Sequence, residues 1–244
     1  MTNPMLPIWG QIAEALRADL QTIPPGTRLP TESQLAARFG ANRHTVRRAL
    51  AALADEGLVH SRRGAGVFAA MRPVDYPLTS RPRFHAALSA TGRVPGRRIL
   101  STQSLPADAE TAQTLATQPG TAILRLEGLS LAEGATIGHF RSIFALNLVS
   151  GLPEALTQTD SITAALASCG VADYARAWTR LSAVRADSLL AGHLKLTIGE
   201  PLLRSESLNI DPDGRPLEYA VTHFAGSRIT MSVKPEDLSH ARHG

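Results

Sequence analysis

Between Leu29 and Ala70 the chain reads LPTESQLAARFGANRHTVRRALAALADEGLVHSRRGAGVFAA, and the order of caps and breakers in this run leaves little freedom in how it folds. Thr31-Glu32-Ser33-Gln34 is a capping box, in which the threonine hydroxyl accepts from the Gln34 amide while the Gln34 side chain reaches back. A short helix follows with Leu35, Ala36 and Phe39 turned inward, and Gly40 is placed to take the left-handed conformation that ends it. After Ala41, Asn42 caps another helix, whose buried stripe is Val46, Ala49, Leu50 and Leu53 and which Gly57 closes. Two short helices joined by a glycine turn make a helix-turn-helix, in which the second helix enters the DNA major groove.

The second helix exposes Arg43, His44, Arg47 and Arg48 opposite its apolar stripe, with Thr45 near its first turn. Taken singly, each arginine reads as a solvated charge; Arg43 and Arg47 are four residues apart and share a face, and it is the joint placement that points to DNA. Leu58-Val59-His60 and Val67-Phe68-Ala69 read as two short strands joined by the basic, glycine-rich tip Ser61-Arg62-Arg63-Gly64-Ala65-Gly66, which is a wing. Upstream, Ile8, Trp9, Ile12, Leu16, Leu20 and Ile23 recur at helical steps between Met5 and Ile23, until Pro24-Pro25-Gly26 stops the pattern. Charge follows the same division. Residues 1–98 hold 14 arginines and 6 acidic residues, a balance of +8, which leaves −4 for the rest of a chain whose net charge is +4. A basic half beside a mildly acidic half implies a polyanion as the partner of the first alone.

In this run the chain resembles the GntR family of regulators, over essentially all of residues 5–70. The resemblance implies a winged helix-turn-helix in which Arg43, Thr45 and Arg47 meet bases or phosphates and Gly66 approaches the minor groove. Thr31, His44, Arg48, Arg62 and Arg63 complete the expected DNA-facing set. Family members often carry arginine where this chain has Gln34 and serine where it has Asn42.

At 244 residues the chain has room for a second domain with its own core, and 43% hydrophobic against 19% charged residues describes a folded chain rather than a disordered one. No apolar run approaches membrane-spanning length and no secretory pattern opens the chain, so a cytoplasmic location with no membrane partner is expected. The single cysteine, Cys169, can form neither an internal disulfide nor a thiolate metal pair and reads as a core thiol. Residues 71–80, with two prolines and no helical periodicity, read as a linker between a domain at 1–70 and another at 81–244. In the second domain a helix from Phe84 to near Gly92 precedes strands around 98–100, 122–131 and 137–144. A helix at 161–168 capped by Asp160 and further strands at 178–186, 202–210 and 217–224 follow. Hairpin-joined strands with a few helices on one face make an α+β domain.

This half looks like the effector domain of the HutC branch of GntR regulators, an antiparallel-sheet, chorismate-lyase-like fold that binds small metabolites. The matching pieces include Arg83-Phe84, Leu105-Pro106-Ala107-Asp108, Gly199-Glu200-Pro201-Leu202 and the Asp-Gly-x-Pro-Leu-Glu-Tyr run ending at Tyr219. Arg81-Pro82-Arg83-Phe84, Leu126-Glu127-Gly128 and Thr179-Arg180-Leu181-Ser182-Ala183 look most like PhnF regulators of phosphonate utilisation. Sugar-phosphate sensors of the branch carry arginines where this chain has Gly128 and Ser130. The resemblance places an effector near Phe84 and His85, with Ser161, Glu218 and Phe224 opposite. Arg83, Arg141 and Arg180 are cationic candidates for a small anion, with a phosphonate or phosphate ester as the first choice.

No nucleophile elbow, zinc-protease motif, P-loop or dinucleotide fingerprint is present, so no catalytic, metal or cofactor site is expected. His139 and His223 stand alone in the sequence. The expected protein is a homodimeric regulator, acting as a repressor on double-stranded DNA at an inverted-repeat operator. The alternatives are a regulator sensing a metabolite without phosphorus, an enzyme fused to a DNA-binding domain, and an architectural protein whose second domain only dimerises.

Overall fold

A computed structural model describes residues 6–62, 64–70, 73–81 and 84–233, the Arg62 side chain apart. The chain divides into two compact units, Met1–Arg72 and Pro73–Gly244. The first contains α1 (Ile8–Asp19), α2 (Glu32–Phe39), α3 (Arg43–Asp55), β1 (Val59–Arg62) and β2 (Gly66–Ala69). Its core is made by Ile12 and Leu16 of α1, Leu35 of α2, Val46, Leu50 and Leu53 of α3, and Val59. The caps form as the sequence dictates. Gln34 N donates to Thr31 Oγ1 at 3.3 Å and Thr31 N to Gln34 Oε1 at 2.8 Å. Gly40 sits at φ 59°, and Asn42 Oδ1 accepts from Thr45 N at 2.8 Å.

Two details differ from the sequence reading. The first helix is Ile8–Asp19 rather than reaching Ile23, because the residue before Pro24 is pushed out of the helical region; Leu20 and Ile23 still pack on the core. The wing also has a third strand-like segment. Leu29 N donates to Val67 O and Ala69 N to Thr27 O, while Arg28 bridges Phe68, so β2 is paired on both sides.

The second unit contains β3 (Val74–Pro77), α4 (Phe84–Ala90), β4 (Pro95–Pro106), α5 (Ala109–Thr114), β5 (Ala122–Ala132), β6 (Ala135–Ala145), α6 (Leu152–Ala155), α7 (Ile162–Ser168), β7 (Ala175–Arg185), α8 (Ser188–Leu194), β8 (Pro201–Ile210), β9 (Pro216–Ala225) and β10 (Ile229–Ser232). Its six-stranded sheet runs β4-β5-β6-β9-β8-β7, antiparallel throughout: two three-stranded meanders joined where β6 meets β9. The fold class is the expected α+β. Helices, however, cover both faces rather than one. α6 and α7 bury Leu124, Leu126 and Phe144 on one face, whereas α5 packs on Ile123 and Ala145, and α8 on Leu202, on the other. Residues 74–77, expected within a linker, form β3, which pairs parallel with β10. The helix at 162–168 is capped by Ser161, whose hydroxyl accepts from Ala164 N, and not by Asp160.

Candidate nucleic-acid interface and ligand cavity

Because Val46, Ala49 and Leu50 bind α3 to the core, the opposite face is turned outward, and Arg43, His44 and Arg47 lie on it exposed. Their settings are unequal. Arg47 is held by Glu32 through two bonds, Nε–Oε1 at 3.1 Å and Nη2–Oε2 at 2.8 Å, and the guanidinium keeps the Glu32 carboxyl below its usual range. Arg48 leans back on α1, its guanidinium 4.6 Å from the Trp9 ring centre. The Thr45 hydroxyl donates to Asn42 and the Thr31 hydroxyl to Gln34, so both serve the helix starts.

At the wing, β1 and β2 pair with Arg62 opposite Gly66. Arg63 and the Arg62 side chain lie outside the described residues. Gly66 has φ +107°, and a Cβ there would meet Arg28 Nε at 2.9 Å. Arg28 therefore crosses the base of the wing tip, a basic residue that the sequence reading missed because it lies before the motif.

The second unit holds a cavity of about 100 Å³ on the α7 face of the sheet. Strand parity builds its floor. Ser142 of β6 faces Ala220 of β9, which faces Ser207 of β8; one step along, Phe140 faces Thr222 and Thr222 faces Ser205. Small side chains thus leave room, and the space is polar. Tyr76, Phe84, Arg97, Tyr174 and Arg176 enclose it, with Asn209, Glu218 and Phe224.

The charges explain what such a space accepts. Arg97 Nη1 donates to Asp160 O at 3.0 Å, and its guanidinium lies 5.1 Å from the Phe140 ring centre. Arg176 Nη1 donates to Thr179 Oγ1 at 3.0 Å. The Nε of each is buried without an acceptor, and burial lowers both guanidinium pKa values. Buried donors without partners are costly, so an acceptor oxygen entering the cavity would be favoured at these two atoms. Burial also raises the Tyr76 hydroxyl pKa.

Of the residues expected to hold an effector, Phe84, Glu218 and Phe224 line this cavity. His85 abuts Phe84, its ring kept neutral to lower pH first by burial and then by Arg97. The Ser161 hydroxyl is spent capping α7, and its neighbours Ile162 and Thr163 line the space instead. Arg141 and Arg180 point elsewhere: each alternates with cavity-facing neighbours, Phe140 and Ser142 or Thr179, and so lies on the opposite face. Arg83 lies outside the described residues. The sequence reading missed Arg97, Arg176, Tyr76, Tyr174 and Asn209. One signal for Asn209 was available: Ser205-x-Ser207-x-Asn209 is a period-two polar face in a strand too central to be solvated.

A model described as bacterial regulatory proteins, gntR family, matches residues 9–69, and a UTRA domain model matches residues 90–230. The chain belongs to the GntR family of transcriptional regulators. Its effector module is the HutC-type UTRA domain. An HTH-type transcriptional regulator of Rhizobium meliloti is 35% identical to this regulator, over 93% of this chain and 94% of its own. The probable transcriptional regulator PhnF of Escherichia coli is 34% identical over 92% and 93%. The crystal structure of PhnF from Mycobacterium smegmatis superposes with a TM-score of 0.63 at 25% identity, covering 91% of this regulator and 98% of that chain. These relatives are regulators, not enzymes. Among the described residues no helix is long and apolar enough to cross a membrane, and no group of three or more His, Cys, Asp or Glu side chains is arranged to hold a metal.

Proposed function

We propose that this regulator is a cytoplasmic, homodimeric repressor that binds an inverted-repeat operator and is released by a small phosphorus oxyanion, a phosphonate or a phosphate ester. The observation that carries the effector reading is the pair of half-buried arginines, Arg97 and Arg176, whose Nε atoms are buried and lack acceptors at one small cavity. A tetrahedral oxyanion offers several acceptors to two guanidinium forks at once. The likeness to PhnF regulators supports phosphorus chemistry. Gly128 supports it against a sugar phosphate: a Cβ there would lie 2.7 Å from both Arg98 O and Phe140 Cζ, so this strand has no space for an arginine.

On DNA, Arg43, His44, Thr45 and Arg47 of α3 read the major groove, while Arg28, Arg62, Arg63 and Gly66 meet the backbone and minor groove beside it. Thr31 serves a phosphate near the start of α2, and Arg48 braces α3 on Trp9. One such motif covers one half-site, so a two-fold dimer supplies the second.

Calorimetry with methylphosphonate, ethylphosphonate and glycerol phosphate, paired with operator gel shifts, tests the reading on wild type and Arg176→Ala. Binding that weakens operator affinity, and is lost in the variant, is expected. Release needs an effector that prefers the DNA-incompetent state by about the factor by which operator affinity falls. If only carboxylates bind, or if a phosphorus anion binds without changing operator affinity, the proposal fails and the family assignment is untouched.

A further inference from the structure

The cavity contains more than an anion clamp. Asn209 and Glu218 pair across β8 and β9 and are buried, 3% and 6% exposed. Asn209 Nδ2 donates to Glu218 Oε2 at 2.7 Å. A carboxylate only accepts, so the amide nitrogen must face it, and Asn209 Oδ1 is turned away. That oxygen is buried with no donor. The cavity thus holds two opposite deficits: guanidinium nitrogens lacking acceptors, and an amide oxygen beside a carboxylate lacking a donor.

Charge agrees. Arg97, Arg176 and Glu218 sum to one positive charge, and Glu218 lies close enough to both guanidiniums to favour their charged forms. A simple dianion overbalances this set and leaves Asn209 Oδ1 without a partner. A neutral hydroxyl fills the gap but gains little from the carboxylate. An ammonium supplies three donors and a charge that Glu218 attracts. The register orders these groups. Arg176 stands in the cross-strand row of Asn209 and Glu218, but its guanidinium leans one inward position along to Thr179, in the row of Ser207 and Ala220, while Arg97 enters two positions beyond that, in the row of Ser130, Gly138 and Phe224.

With this cavity read as the effector site proposed above, we infer that the effector is a small zwitterion, an oxyanion and a protonated amine separated by a short carbon spacer. The oxyanion lies between Arg97 and Arg176, and the amine donates to Asn209 Oδ1 and Glu218. At about 100 Å³ the cavity has room for only a few heavy atoms, which keeps the spacer short.

The test uses the full chain and three ligands of nearly one shape: ethylphosphonate, 2-hydroxyethylphosphonate and 2-aminoethylphosphonate, titrated by calorimetry at neutral pH. The amine is expected to bind about tenfold to a hundredfold more tightly than ethylphosphonate, the increment of a charge-assisted hydrogen bond. In Glu218→Gln this preference shrinks while ethylphosphonate still binds. The ligand series on wild type decides the question even if that variant does not fold. Equal binding of the ethyl and aminoethyl compounds overturns the zwitterion and leaves the phosphonate reading standing. Failure of all three to bind overturns the phosphonate reading itself.

Discussion

Arg47 shows how a side chain suited to DNA is kept in the absence of DNA. Its two bonds to Glu32 hold the guanidinium on the exposed face of α3, and an exposed ion pair of this kind adds little to stability. Glu32 therefore acts mainly as a competitor for the same donors and as a charge repelled by phosphate. Arg47→Ala should weaken specific operator binding roughly tenfold to a hundredfold and relax preference at one base pair, the effect of losing a bidentate base contact. Glu32→Gln should strengthen binding a few-fold. Operator titrations at fixed salt check both, and a loss of affinity in Glu32→Gln would show that the glutamate aims Arg47 rather than sequestering it. At this scale the exposed face of α3 was legible, because helical periodicity assigns a face without knowledge of any partner. The cavity residues were not. Arg97 and Arg98 are identical neighbours on β4, and only pairing with β5 shows that Arg97 faces the cavity. Arg141 could not be placed from sequence for the same reason, since which face of a strand turns to the cavity is a property of the sheet and not of the strand, and Arg141 lies on the other face.

At the scale of elements, glycine shows how context decides a substitution's sign. Gly128 lies within β5 against Arg98 O and Phe140 Cζ, so its close packing has no room for a methyl. Gly128→Ala should cost about 1–3 kcal/mol through overpacking and displace the Phe140 ring from the cavity wall. Gly192 lies within α8, with nothing within 4 Å of a Cβ and no positive φ. Gly192→Ala should gain up to about 1 kcal/mol, because alanine loses less backbone freedom on entering a helix. Denaturant unfolding monitored on the second unit measures both, and the same sign for the two would contradict the packing argument. Elements with strong caps or long apolar alternation were readable from sequence, as α2, α3, β5 and β9 show. α5 and α8 escape a reading of the sequence although Asp108 and Asp187 cap them, since six or seven residues carry too little periodicity to stand out. β3 reads as linker because a four-residue parallel pairing with β10 depends on a partner about 150 residues away.

The two units should answer acid differently. In the second unit His85, His139 and His223 all have their pKa values lowered, in each case first by burial; Arg97 adds to this at His85, and Arg204, His139 and Arg141 add to it at His223. At His139, Glu127 opposes the shift with a 2.8 Å contact to Nε2, while His193 stacks on the ring and reinforces it. A histidine with a lowered folded pKa binds fewer protons in the native state than in the unfolded one. Stability is therefore complete above the ordinary value near 6.5 and declines as pH falls through it, until the folded pKa is reached. In the first unit the carboxylates Glu32 and Glu56, held by Arg47 and Arg17, are lowered, so the losses that they cause begin only near and below the ordinary carboxylate value. The sequence supplies a separate reporter for each unit, because its two tryptophans are Trp9 and Trp178. In Trp9→Phe, thermal unfolding followed by the remaining tryptophan should shift to lower temperature between pH 7 and about pH 5.5. In Trp178→Phe, the transition reported by Trp9 should stay nearly constant over the same window. An equal acid shift in both variants, or none in Trp9→Phe, would mean that these three histidines do not set the acid response of the effector-binding unit.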